Sequence, residues 1–270
     1  MSIETAYYEN PDFWTDEALA GEHDRYATTA SLIPGDAQSL IDVGCGNGAF
    51  VHYLMASGRP FGSIHAVDRS EAALRCVRAE KSQAPIDALP FADRSFDIAT
   101  CLEVIEHLPF GVYERGLGEL ARVASRYVLI SVPYEEDLEG TLIRCPSCTS
   151  RFNPDYHMRR YDDAMLASLL EPHGFAPVDK RMSGAMARYW LVPDWTEKRR
   201  RDAGKRGNPF HTPIPCPICG FTLPPEGSLP SARPAAQSPG TSGGLKGLAK
   251  RLLRRDTRYG AIAMLYQRRD

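Results

Sequence analysis

Three groups of residues have types and spacings that could do chemistry. The first is Leu40-Ile-Asp-Val-Gly-Cys-Gly-Asn-Gly48, an apolar run entering a turn with glycines at 44, 46 and 48. Such a turn lets the backbone approach a ligand closely at the head of a helix. Asp68 ends a second apolar run, Ser63-Ile-His-Ala-Val-Asp68, where a carboxylate can take the ribose hydroxyls of an adenosine-containing cofactor. A pyrophosphate-binding turn wants a third glycine at position 49, which is Ala49. Asp42, just before the turn, would repel a pyrophosphate and suits a cationic ligand carrying an amino group and a sulfonium. Both features argue against a dinucleotide dehydrogenase.

The second group is two histidines, His107 and His157, the side chain best matched to taking a proton near neutral pH. A structural use, capping a helix or bonding a backbone carbonyl, is open for each. The third is two C-x-x-C pairs, Cys145-Pro-Ser-Cys148 and Cys216-Pro-Ile-Cys219. Four thiolates make a closed tetrahedral zinc site, structural rather than catalytic. Gly220 suits the left-handed position after the second pair, and the first carries Thr149 there. Proline-rich flanks argue against a redox use, which would need a helix N-terminus. The long gap between pairs means that the two halves come from separate insertions.

These groups need a scaffold. Ile98–Leu102 and Tyr127–Val132 are short apolar runs that fit strands covered on both faces. Between them, Val112 to Ala124 has helical spacing, with Leu117, Leu120 and Ala121 on one face. Further strands are expected at Phe175–Arg181 and Tyr259–Tyr266. Strand–helix alternation implies an α/β fold with a mostly parallel sheet that binds ligands at the carboxyl ends of its strands.

The segment Asp87-Ala-Leu-Pro-Phe-Ala-Asp-Arg-Ser-Phe-Asp-Ile-Ala-Thr-Cys-Leu-Glu-Val-Ile-Glu-His-Leu-Pro109 carries D-x-x-x-L-P-F, S-F-D and E-V-I-E-H-L in order. It resembles the class I S-adenosylmethionine-dependent methyltransferases of the type 11/12 group. The resemblance is strong over residues 38–135 and weaker to residue 183. It implies a Rossmann-like sheet, mostly parallel with the last strand antiparallel, here with zinc-knuckle insertions. It also implies that Asp42, Gly44, Gly46 and Gly48 surround the methionine part of S-adenosylmethionine, that Asp68 holds the ribose, and that Asp87 and Ala88 meet the adenine. Cys45, Asn47, Arg69 and Leu89 stand beside them, and Cys101, Leu102 and Glu103 line the cofactor at the end of the fourth strand. His107 would face the transferred methyl group. His157-Met-Arg-Arg-Tyr161 is similar to the family's H-x-R-x-[FY] segment, in which Arg159 and Arg160 could hold an anion or lie on the surface. Tyr7 to Trp14 and Arg25-Tyr26 resemble the aromatic leader that covers the pocket.

The chain has 270 residues, 43% hydrophobic, ample for one such domain with insertions. The expected division is a helical cap at 1–36, a core at 37–189 plus 257–270 interrupted by the first knuckle at 134–156, and an insertion at 190–256. The insertion holds the second knuckle, a Pro/Ser/Gly/Ala-rich linker over Phe221–Gly244, and a short basic amphipathic helix with Leu245, Leu248, Ala249, Leu252 and Leu253 at helical spacing and Lys246, Lys250, Arg251, Arg254 and Arg255 largely around them. That helix could meet an anionic membrane surface and a lipid-linked acceptor, or pack on its own domain. No apolar run is long enough to span a bilayer and no basic-then-apolar leader opens the chain, so a cytoplasmic location is expected. Net charge is −2, with no global pull toward nucleic acid. Cys76 is expected as a small buried hydrophobe on the helix after Asp68. The leading expectation is methylation, at oxygen, of a small molecule or glycan, with zinc joining two inserted segments as a lid. RNA or protein methylation, and a non-catalytic zinc-containing interaction module, are the alternatives.

Overall fold

In the computed structural model of the chain, residues 8–11, 14, 23–184, 186–189, 213–224 and 254–269 are described. They fall into two compact units. The first comprises Met1–Leu138, Tyr156–Gly184 and Gly260–Asp270; the second comprises Glu139–Asp155 and Ala185–Tyr259.

The first unit is built on a seven-stranded sheet. Its strands are β1 (Ser39–Val43), β2 (Ser63–Asp68), β3 (Glu80–Gln83), β4 (Phe96–Leu102), β5 (Ala124–Pro133), β8 (Phe175–Ser183) and β13 (Ala261–Arg268), with β6, β7 and β9–β12 lying in the second unit. The order is β3-β2-β1-β4-β5-β13-β8. Neighbours from β3 to β5 pair in parallel. β13 is antiparallel to both β5 and β8, so it alone runs against the rest. This is the Rossmann-like sheet expected from the sequence. β1, β4 and β5 are almost wholly buried because helices cover both faces, which is why they read as unbroken apolar runs. One core cluster packs the helix Val112–Val123 on the sheet through Leu117, Leu120 and Ala121. A second holds Phe50 and Leu54 of the helix Ala49–Ala56 with Tyr26 and Leu32 on the opposite face.

The second unit contains β6 (Ile143–Arg144) paired with β7 (Arg151–Phe152), and β10 (Ile214–Pro215) paired with β11 (Thr222–Leu223). β9 (Met186–Tyr189) pairs with β12 (Arg254–Arg258).

Three expectations need correction. The helix after Asp68 is only Glu71–Leu74, capped by the Ser70 side chain, and ends at Arg75. The tight turns that follow bury Val77 and leave Cys76 exposed. Thr222–Leu223, expected in the linker, is a hairpin strand, and the rest of the linker lies outside the described residues. Arg254 and Arg255, expected on the basic helix, begin a strand, while residues 245–253 lie outside the described residues. Among the described residues, no helix is long and apolar enough to cross a membrane.

Candidate functional site

The carboxyl ends of β1, β2 and β4 converge on a cavity of about 290 Å³ within the first unit. Its lining includes Tyr8, Trp14, Gly44, Asp68, Arg69 and Asp87, and it continues past Glu103 to His107. The turn after β1 forms its floor. Gly44, Gly46 and Gly48 all have positive φ, at 77°, 54° and 79°. A Cβ on Gly44 would also overlap the Val104 side chain. Gly44→Ala therefore combines a left-handed penalty of about 1–2 kcal/mol with a steric clash. A lowered melting temperature together with a loss of cofactor binding is the expected outcome, read by thermal unfolding and calorimetric titration.

Asp68 closes the turn. Its Oδ2 accepts from the Gly46 N–H at 2.9 Å and its Oδ1 from the Ser70 N–H at 2.8 Å. The carboxylate is thus fixed at the end of β2, on the cavity wall, where the resemblance puts a ribose. Burial raises its pKa, and the Ser70 and Gly46 hydrogen bonds oppose the rise.

Asp42 lies behind the turn and is buried, with Thr100 Oγ1 donating to its Oδ1 at 2.6 Å. Burial pushes its carboxyl up to about 7; the Thr100 hydrogen bond lowers it and nearby Asp68 raises it. The folded protein therefore keeps a proton on Asp42 at pH values where the unfolded chain has lost it. That makes the contribution to stability full below the unfolded pKa, falling as pH rises through about 7. Asp42→Asn mimics the protonated form. Its stability advantage over the parent is expected to grow from pH 5 to pH 7, by about 1.4 kcal/mol per pH unit at most, and then level off. Denaturant titrations across that range check it.

The other expected cofactor residues divide. Arg69, Asp87 and Glu103 line the cavity. Asp87 pairs with Arg115 at 2.6 Å. Glu103 has a positive φ of 56°, and its carboxylate is held by Arg25 at 2.9 Å and by the Ser131 hydroxyl at 2.6 Å. Gly46 sits under the Trp14 ring, and Asn47 is buried with its Oδ1 accepting from the Ala49 N–H at 3.2 Å. Gly48 caps the helix Ala49–Ala56, and Ala88 lies beside the cavity-lining Asp87. Cys45 is buried against Val51 and Val77, and burial drives its thiol far above the usual range. Leu89 and Cys101 belong to the apolar core, and Leu102 packs on its other face. Cys45, Leu89, Cys101 and Leu102, expected on the cofactor, are core residues outside the cavity lining.

At the far end, the 3-10 turn Ile105–His107 follows β4. His107 lines the cavity, with its Nδ1 3.4 Å from the Tyr8 hydroxyl. The His157 ring stands edge-on to it, centroids 4.7 Å apart, and its Nδ1 is bonded to the Glu136 carboxylate. The two candidate histidines, 50 residues apart in the chain, therefore meet at one place. Close to both lies Glu106, fully buried and not singled out by the sequence reading. Arg159 stacks 4.0 Å from the Tyr113 ring centroid and donates to the Leu108 carbonyl, which ties it to the turn; Arg160 is exposed.

The second unit holds the four cysteines. The two knuckles repeat each other bond for bond. Cys145 N–H donates to Ser150 and Thr149 N–H to Cys145, as Cys216 N–H donates to Phe221 and Gly220 N–H to Cys216. Ile143 pairs with Phe152 as Ile214 pairs with Leu223. Thr149 and Gly220 take the same left-handed conformation, φ 65° and 74°. Cys145 Sγ lies 3.7 Å from Cys219 Sγ, and Cys148 Sγ 3.7 Å from Cys216 Sγ. Thiolates about 2.3 Å from a tetrahedral zinc ion stand about 3.8 Å apart, whereas a disulfide needs about 2 Å. The donor set fits zinc. Hydrogen bonding by Ser150 brings the Cys148 thiol down to about 6, whereas burial pushes the Cys216 thiol up to about 11.

Comparison with known proteins agrees with the fold and the motifs. The family described as "Methyltransferase domain" matches residues 41–128. A Mycobacterium tuberculosis protein named "Probable S-adenosylmethionine-dependent methyltransferase" is 30% identical over 197 residues. The match takes in 70% of this chain and 64% of that protein, so the chain spans under two thirds of that relative's length. The 27-O-demethylrifamycin SV methyltransferase of Amycolatopsis mediterranei is 25% identical over 218 residues, 76% of each chain. Among solved structures, the 1,6-didemethyltoxoflavin-N1-methyltransferase of Burkholderia thailandensis superposes with a TM-score of 0.52 at 16% identity, over 99% of this chain and 88% of that one.

Proposed function

We propose that this chain is an S-adenosylmethionine-dependent methyltransferase acting at an oxygen of a small-molecule or glycan acceptor, with one structural zinc ion held by Cys145, Cys148, Cys216 and Cys219. The observation that carries the first part is the placement of Asp68. It is fixed by the glycine turn at the end of β2, in one cavity with Asp87, Glu103 and His107. Bound there, S-adenosylmethionine would supply a methyl group on a sulfonium. The chemistry supplied would be an in-line displacement, the acceptor oxygen taking the methyl group and S-adenosylhomocysteine leaving.

The chain's own residues bind, orient and handle the proton. Asp68 would hold the ribose hydroxyls, and Asp87 would mark the adenine end. Glu103 on the cavity wall, with Asp42 behind the turn ionising above about pH 7, favours a positive methionine part over a pyrophosphate. The acceptor's proton leaves at the His107 end, the part of the cavity with groups able to take part in that step. The rifamycin relative, by its name an O-methyltransferase of a small molecule, supports an oxygen acceptor of that class.

Zinc holds together two inserted segments. One leaves the carboxyl end of β5, and the other joins the carboxyl end of β8 to β13. That connectivity supports a role of the zinc unit in acceptor binding rather than cofactor binding.

Calorimetric titration of zinc-quantified protein with S-adenosylmethionine, S-adenosylhomocysteine and NAD tests the reading. Micromolar binding of the first two and none of NAD is expected. Folded protein that binds neither sulfur ligand would overturn it. A screen of hydroxylated small molecules, sugars, lipid-linked glycans and RNA then assigns the acceptor.

A further inference from the structure

We propose that Glu106, His107 and His157 form a binding site for one divalent transition-metal ion at the acceptor end of the cavity. Three independent features carry this. First, the Glu106 side chain is fully enclosed, and neither carboxylate oxygen has a hydrogen-bond partner among the described residues. Buried polar atoms in native folds nearly always have a partner, and an unmet one calls for an ion, a water or a special role. Second, one ligand atom from each of the three side chains lies within 4.8 Å of the others, a span that small side-chain shifts close around an ion. His107 Nε2 is 3.9 Å from Glu106 Oε1.

Third, the Nδ1 of each ring already has a polar neighbour, as the outer nitrogen of a metal-bound imidazole does. The Glu136 carboxylate bonds His157 Nδ1, and the Tyr8 hydroxyl lies 3.4 Å from His107 Nδ1. A ligating histidine characteristically gives its outer nitrogen to such a partner, which fixes the tautomer and turns the other nitrogen to the ion. The Met158 N–H donates to the Glu106 carbonyl at 2.8 Å, so the backbone beside His157 is pinned to the turn that carries the other two ligands.

One carboxylate with two imidazoles suits Mn(II), Fe(II), Co(II) or Zn(II) and leaves coordination positions open. His107 lines the cavity, so those positions are within reach of an acceptor. The ion would act as a Lewis acid there, easing ionisation of an acceptor hydroxyl whose proton passes to solvent water. Only this last role rests on the methyltransferase reading.

The test uses the full chain, first loaded with zinc to one equivalent so that the thiolate cluster is filled. Mn(II) is then titrated and free Mn(II) followed by its paramagnetic resonance signal. One Mn(II) per chain is expected, with imidazole nitrogen coupling in the spin-echo spectrum. Affinity should fall at least about tenfold in Glu106→Gln and His157→Asn, and by about 10- to 100-fold in Glu136→Gln, which acts only by positioning His157. If Glu106→Gln does not fold, the other two variants carry the comparison. Mn(II) uptake equal in parent and variants, or bound Mn(II) without nitrogen coupling, would overturn the site. The same samples are titrated with S-adenosylhomocysteine. Failure of that ligand with the Mn(II) results intact sinks the methyltransferase reading and leaves the ion site standing.

Discussion

Asp68→Ala is expected to bind S-adenosylhomocysteine at least about 100-fold more weakly than the parent, a loss of about 2.7 kcal/mol. Two effects add. The substitution removes the group placed to accept the ribose hydroxyls, and a cofactor hydroxyl left without its acceptor forfeits a charge-assisted hydrogen bond. It also leaves the Gly46 and Ser70 N–H donors, now at 2.9 and 2.8 Å from the carboxylate, without partners in a buried place. Each orphaned donor costs about 1–3 kcal/mol, so the glycine turn itself loosens. Asp68→Asn separates the two effects. Its amide oxygen can still accept one of the two N–H bonds, so the turn should survive, while the charged acceptor is gone. Affinity for the Asn variant is expected between those of the parent and the Ala variant, with a melting temperature closer to the parent. Calorimetry and thermal unfolding on the three proteins decide it. Folded Asp68→Ala protein with parental affinity would remove Asp68 from the cofactor site.

The sheet was legible because its central strands are buried on both faces. Leu40–Val43, Ile98–Leu102 and Tyr127–Val132 carry their burial in plain apolar runs, and the glycine turn carries its left-handed conformations in its glycines. The knuckles were legible for a related reason, since C-x-x-C spacing fixes a local turn whatever surrounds it. What escaped notice depends on contacts distant in sequence. Arg254–Arg258 has the composition of an exposed charged segment, yet it pairs as a strand with Met186–Tyr189. Cys76 sits after a helix that stops at Leu74, and the phase of the next turn, not composition, buries Val77 instead. Glu103 and Glu106 look equivalent in E-V-I-E-H. The 3-10 turn at Ile105–His107 gives them opposite fates, one carboxylate paired with Arg25 and Ser131, the other enclosed with neither oxygen hydrogen-bonded among the described residues. Thr149, by contrast, was visible as a departure: a β-branched residue holds the left-handed position that its twin Gly220 takes without strain.

Stripping zinc is expected to unfold the second unit's knuckles while leaving the cofactor site intact. The zinc-binding part of that unit rests on two hairpins of two-residue strands, with Ile143, Phe152, Ile214 and Leu223 as the buried apolar residues beside Cys145 and Cys216. Hairpins that short do not stand alone, and small units of this kind are ordinarily held by a metal or by disulfides. A structural zinc contributes about 10 kcal/mol or more at neutral pH, far more than those few apolar side chains. Chelation, or Cys145→Ser or Cys216→Ser, should therefore release one zinc per chain and open protease cleavage within residues 139–155 and 213–224. Asp68 and the glycine turn belong to the other unit, so affinity for S-adenosylhomocysteine should stay at the parental value while acceptor turnover falls. Elemental analysis, limited proteolysis and calorimetry on one preparation separate these outcomes. Purified protein that carries no zinc, with the parental cleavage pattern retained in the cysteine variants, would end the zinc assignment. Loss of cofactor affinity in step with zinc would show instead that the metal supports the whole chain.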